Sequence, residues 1–146
     1  IEELYSLRSV LETFALQRVI AQNNPDNAAQ LRACFEAMLA AAQAGDLKQV
    51  NDIDRQFHDL LIELSQHSLL ARTWNTVSLR VRQVMALRNR KNRDITQIAY
   101  NHLPIIEAIA QADEPLAVRL LQQHISSSGD LLAEMWDDTP PEADQP

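Results

Sequence analysis

The sequence predicts an all-α fold, about six helices packed as an antiparallel bundle. Three observations lead there. The 146 residues contain only two glycines, Gly45 and Gly129, and are dominated by Ala, Leu, Gln, Arg and Glu, all good helix formers. Aromatic residues are 5%, and no run of alternating β-branched residues suggests a strand. Apolar residues instead recur three and four apart along nearly the whole chain, the spacing of one helix face.

The first helix is read in "IEELYSLRSVLETFALQRVIAQ", where Leu4, Leu7, Leu11 and Phe14 keep that spacing. "NNPDN" ends it, and Pro25 or Asp26 opens the second, "DNAAQLRACFEAMLAAAQ", which stops at Gly45. Asp46 caps a third helix over roughly residues 47–65. After the break "SQHS", a fourth starts near Ser68, with Leu70, Trp74, Val77, Val81 and Val84 or Met85 on one side. Asp94 starts a fifth, "ITQIAYNHLPIIEAIAQA", with Pro104 inside it as a bend. "ADEP" starts the sixth, which reaches about Trp136. The acidic, proline-rich residues 138–146 are expected to be a flexible tail. Short loops favour antiparallel neighbours, and the length suits one core over residues 1–137.

Composition also narrows the function. A net charge of −7 does not attract nucleic acid. The lone Cys34 permits neither an internal disulfide nor a cysteine-rich zinc site, and it reads as a small buried residue. No apolar run approaches a membrane span, and no signal pattern is present, so a cytoplasmic protein without membrane contact is expected. The chain starts at Ile1, inside an amphipathic pattern, which suggests a domain excised from a longer protein.

The chemistry is concentrated in the histidines. In "NDIDRQFHDLLIEL" the stripe Val50, Phe57, Leu61, Leu64 faces inward. Asp54 lies about 60° and His58 about 100° from Phe57 on the same side. Four residues apart, the two side chains converge on one point. His102 occupies a core position in the series Ile98, His102, Ile105, Ile109, and His124 in Leu121, His124, Ser128, Leu131. Each buried imidazole needs a polar partner or incurs about 1–3 kcal/mol of desolvation. One divalent ion would satisfy all four groups, and three nitrogens with one oxygen suit Zn, Ni, Fe or Mn. The alternative is a set of hydrogen-bonded core histidines.

The same stretches resemble a family. "LYSLRSVLETFALQRVIAQ", "DRQFHDLLIELSQHSLL" and "HLPIIEAIAQADEPLAVRLLQQHI" are similar, in order and separation, to the FadR-type C-terminal ligand-binding domain, FCD, of GntR-family bacterial transcription regulators. The resemblance implies a six- or seven-helix bundle with a central pocket for a small organic acid. It implies a metal held by Asp54, His58, His102 and His124, zinc or nickel being the first expectation and manganese or iron the second. It further implies homodimerisation and a winged helix-turn-helix DNA-binding domain ahead of residue 1. His67 replaces the family's usual Asn, and is read as a turn residue. Asn101 stands where the family often has Glu.

An arginine would pair with the effector carboxylate, because guanidinium offers two parallel donors. Arg8 matches the family's opening-helix arginine, and Arg80 and Arg82 are further candidates. The six basic residues of "RVRQVMALRNRKNR" read as a solvated helix end, its cations facing the helix dipole. Two other classes stay open: a metal-dependent hydrolase, with Asp59, Glu63 or Glu107 as unconvincing general bases, and a helical dimerisation module without metal. No catalytic motif favours an enzyme, so a non-enzymatic sensor is expected.

Overall fold

The structure, a computed structural model, describes residues 1–137, and side chains to residue 128. The expected tail 138–146 and the predicted core position Leu131 lie outside these limits. Among the described residues seven helices follow one another: α1 (Glu2–Ala21), α2 (Pro25–Gln43), α3 (Leu47–Leu64), α4 (Ser68–Asn89), α5 (Ile95–Tyr100), α6 (Leu103–Ala110) and α7 (Glu114–Asp137). No strand occurs among the described residues.

The helix ends follow from local chemistry. Asn24 accepts the Asp26 amide at 3.0 Å and so caps α2, with Pro25 in the first turn. At the other end the Gly45 amide donates to the Ala42 carbonyl at 3.0 Å, and the Asp46 amide reaches back to Ala41, also at 3.0 Å. That pair of bonds requires a left-handed residue, and Gly45 supplies it at φ 72°. Asp46 then turns its carboxylate onto the Gln49 amide at 3.1 Å to cap α3. We expect Asp46→Ala to lower stability by about 1 kcal/mol in urea unfolding, with an unchanged slope.

The single fifth helix expected from residue 94 is in fact two short ones. Pro104 has no amide to donate, and its ring would collide with the Tyr100 carbonyl in a continuous helix. The chain therefore leaves α5 after Tyr100 and restarts α6 at Leu103, with Pro104 in the first turn. His102 sits in the break, at the N-cap of α6.

The inward face of α1 also differs from expectation. Tyr5, Arg8, Glu12, Ala15, Leu16 and Val19 are buried, whereas Leu7 and Phe14 are exposed. The helix is rotated so that a charged pair enters the interior. At the centre lies α3, packed against α1, α2, α4 and α5. Its buried face is wider than the predicted stripe, adding Ile53 and Ile62 to Val50, Phe57 and Leu61. Helix α7 closes the bundle against α1, α4 and α6. Cys34 is half-buried, with its thiol 3.7 Å from the Ile53 carbonyl; burial, with Asp54 nearby, pushes that thiol up to about 11.

Candidate metal and effector site

The interior of the bundle is polar at one place. Asp54 and His58, one turn apart on α3, point into it as their spacing predicts, and both are 1% exposed. His102 enters from the α5–α6 break. Its Nδ1 donates to the Ile98 carbonyl at 2.7 Å, which turns Nε2 toward Asp54 Oδ1 at 2.9 Å. His58 Nε2 lies 3.5 Å from the same oxygen. His124 comes from α7 and stacks on His58, ring centroids 5.5 Å apart and planes at 16°. One ring nitrogen from each of the three histidines lies within 4.8 Å of the others. Thus the four residues predicted from periodicity do meet, from three separate segments. The tightest set is the three imidazoles, which Asp54 joins through His102 and His58.

His67 is elsewhere. It caps α4 by accepting the Leu70 amide on Nδ1 at 3.0 Å, the turn role expected of it.

The electrostatics suit a cation. Burial alone would raise the Asp54 carboxyl, but the charge and hydrogen bonds of His102 and His58 outweigh it and hold Asp54 well below its ordinary value. Asp54 Oδ2 also accepts from Asn89 Nδ2 at 3.1 Å, and Asn89 is braced on Asn51 Oδ1 at 2.7 Å. His124 is held well below the ordinary histidine range by burial, and next by the neighbouring imidazoles His102 and His58. It is therefore a neutral ring with a free lone pair, the form a metal requires. Its enclosed Nε2 has no partner. An orphaned neutral nitrogen beside two further imidazoles and an ionised carboxylate fits a divalent ion of the borderline type.

Two residues essential to this interior escaped prediction. Glu12, fully buried, accepts Arg8 Nε at 2.6 Å and contacts His58 Nδ1 through its other oxygen. An Arg and a Glu four apart on a helix look like a surface pair, and only the rotation of α1 shows otherwise. Arg88 is the second. It is 8% exposed and lines the cavity described below, while the effector candidates Arg80 and Arg82 are exposed on α4 and do not line it. Val81, Met85 and Arg88 continue the inward spacing of α4, so the helical period does contain the signal for Arg88. The remainder of the basic run (Arg80, Arg82, Arg90, Lys91 and Arg93) is exposed, as a solvated helix end should be.

Beside the histidines lies a cavity of about 200 Å³, lined by Arg88, Asn101, Gln123, His124 and Ser127 with apolar walls from α6 and α7. That is the space of about six or seven waters. Seven enclosed side-chain polar atoms lack a partner among the described residues. Five of them belong to this region: Tyr5 Oη, Arg8 Nη1, Arg88 Nε, Asn89 Oδ1 and His124 Nε2. Three are obligate or ready donors, while Asn89 Oδ1 and the neutral His124 Nε2 are unused acceptors.

The carboxylates weighed as general bases are not here. Asp59 accepts the Trp74 indole N–H at 2.8 Å, and Glu63 and Glu107 are exposed. No described helix is long and apolar enough to cross a membrane.

Known proteins agree with this architecture. The chain is 29% identical over 125 residues to a probable D-xylose utilization operon transcriptional repressor of Paenarthrobacter nicotinovorans, covering 86% of this chain and 54% of that protein. It is 27% identical over 141 residues to the gluconate operon transcriptional repressor of Bacillus subtilis (strain 168), covering 93% and 58%. The chain thus spans a little over half the length of these relatives. Among solved structures, E. coli McbR/YncC superposes with a TM-score of 0.80 at 17% identity, over 92% of this chain and 65% of that one, a likeness of fold. Residues 3–127 match the FCD domain, and the chain belongs to that family.

Proposed function

We propose that this domain is the effector-sensing part of a metabolite-responsive transcription regulator of the GntR type. Its ligand would be a small organic acid, bound at a divalent ion held by Asp54, His58, His102 and His124. The observation that carries this reading is the pair of unpaired guanidinium donors beside the orphaned His124 Nε2. Arg8 Nη1, Arg88 Nε and Tyr5 Oη are enclosed without acceptors next to the histidines. Desolvated guanidinium donors left unpaired are costly, and a carboxylate supplies two acceptors at once. Charge leads to the same place. Arg8 and Arg88 balance Glu12 and Asp54, so a divalent cation would leave the interior positive unless an anion accompanied it.

A bound ion would supply open coordination positions for a carboxylate or hydroxyl oxygen. The protein's own groups do the rest. Arg88 grips the carboxylate, with Arg8 Nη1 behind it. Gln123, Asn101 and Ser127 offer hydrogen bonds to hydroxyls along the cavity. The gluconate and xylose operon relatives support a hydroxy or sugar acid as the first class to test. Such a guest would touch α4, α6 and α7 directly, and α1 and α3 through the ion and Arg8. Its unequal affinity for two arrangements of these helices would shift their balance. In the whole regulator that shift would alter the spacing of two DNA-binding domains lying ahead of residue 1. The second copy would dock on α1 and α4, where Leu7, Val10, Phe14, Leu69, Leu79 and Leu87 are exposed apolar side chains.

Titration calorimetry of the zinc-loaded domain with sugar acids and hydroxy acids tests the assignment. We expect saturable binding that Arg88→Met weakens about 10- to 100-fold, while the surface variants Arg80→Ala and Arg82→Ala leave it unchanged. Equal affinity in Arg88→Met would remove Arg88 from the site.

A further inference from the structure

Glu12 is a carboxylate from α1 that is 0% exposed, placed against a histidine on α3. Both oxygens are committed. One accepts Arg8 Nε at 2.6 Å, and the other contacts His58 Nδ1. The far nitrogen of that ring, Nε2, lies 3.5 Å from Asp54 Oδ1, the oxygen that also meets His102 Nε2 at 2.9 Å. His102 has a matching restraint, with Nδ1 donating to the Ile98 carbonyl. Both rings thus have an oxygen at Nδ1 and present Nε2 to the same Asp54 oxygen, while Arg8 Nη2 lies across the edge of the His58 ring, 3.3 Å from each of its nitrogens.

An imidazole can bind a cation through either nitrogen, and the hydrogen bond on the other one decides which. We propose that Glu12 is a positioning residue for the metal centre: it accepts a hydrogen bond from the Nδ1–H of His58 and so fixes the tautomer whose Nε2 faces Asp54, His102 and His124. This rests on the metal reading given above. Arg8 has a part in it as well. Its Nε bond fixes the plane of the Glu12 carboxylate, so the oxygen facing His58 stays in place. Without Glu12 the ring of His58 would have no acceptor at Nδ1 from α1. It would then be free to turn over or to present the wrong nitrogen. A carboxylate behind a ligating imidazole also raises its basicity toward the cation.

The experiment uses the ¹⁵N-histidine-labelled domain and zinc alone, with affinity measured by chelator competition. In the wild type, ¹⁵N spectra should show His58 ligated through Nε2 with a proton retained on Nδ1. Glu12→Ala should bind zinc about 10- to 100-fold more weakly and lose that signature. Glu12→Gln keeps an acceptor oxygen and should recover the signature and most of the affinity. Leu16→Ala, a fully buried apolar change one turn beyond Glu12 on α1, should lower Tm yet leave both readouts alone. A His58 ligated through Nδ1 in the wild type overturns the proposal. So does wild-type affinity with Nε2 ligation in Glu12→Ala, or a loss as large in Leu16→Ala. If Glu12→Ala does not fold, Glu12→Gln decides, and a scrambled tautomer there counts against it. Zinc binding that is absent from the wild type removes the metal reading itself, whereas intact binding indifferent to Glu12 removes this inference alone.

Discussion

Zinc or nickel added to the metal-stripped domain should raise its Tm by about 10 °C, and His124→Ala should abolish that gain. The size follows from linkage. An ion present at 1,000 times its Kd stabilises the folded state by about 4 kcal/mol. For a chain of this length each kcal/mol moves Tm by about 2–4 °C. His124 is the right residue to remove, because its orphaned Nε2 has no structural duty to lose. His102 and His58, by contrast, hold Asp54, so their loss would mix metal affinity with stability. Without metal, His124→Ala should unfold close to the wild type, since it also relieves a buried, unpartnered nitrogen. Calorimetric scans of both proteins, with and without a chelator, check the expectation. A His124→Ala domain that still gains the full increment would take His124 out of the ligand set.

The second large effect concerns the pair Arg8 and Glu12. Arg8→Met should destabilise the metal-free domain by about 3–5 kcal/mol, because it strands a carboxylate in the interior. Burial alone would raise the Glu12 carboxyl, but His58 and Arg8 together hold it at about 2. With Arg8 gone, His58 alone must answer that charge. The double variant Arg8→Met/Glu12→Gln removes both charges and should recover much of the loss, since a neutral buried pair avoids the desolvation of two ions. Urea unfolding of the two single variants and the double variant completes a thermodynamic cycle. A coupling below about 1 kcal/mol would mean that the pair holds the interior together far less than its burial suggests.

Much of this was legible in the sequence, and the parts that were not have physical reasons. Helical spacing located α2, α3, α4 and α7, and the caps Asp46 and Asp94 marked true starts. It also named Asp54, His58, His102 and His124, because a polar residue on an apolar stripe is conspicuous. The α1 face was misplaced because apolar and polar residues are spread around every side of that helix, so Leu7 and Phe14 fit an inward stripe as well as Tyr5 and Leu16 do. Glu12 was missed because its partner His58 lies on another helix, and periodicity carries no information between helices. Arg88 was hidden in a basic run whose other members are solvated. The cavity arises where α4, α6 and α7 meet, and no local pattern records it.

The wide separation of the site's parts along the chain has a bearing on biogenesis. Glu12, His58, His102 and His124 are drawn from positions spread over more than a hundred residues. Contacts that distant close late in folding, since the entropy of long loops must be met before they form. On a translating ribosome His124 emerges last of the four, after most of the helices are made. On the metal reading proposed above, a nascent chain could not trap the ion in its final cage prematurely, and capture of the ion would report that the polypeptide has folded.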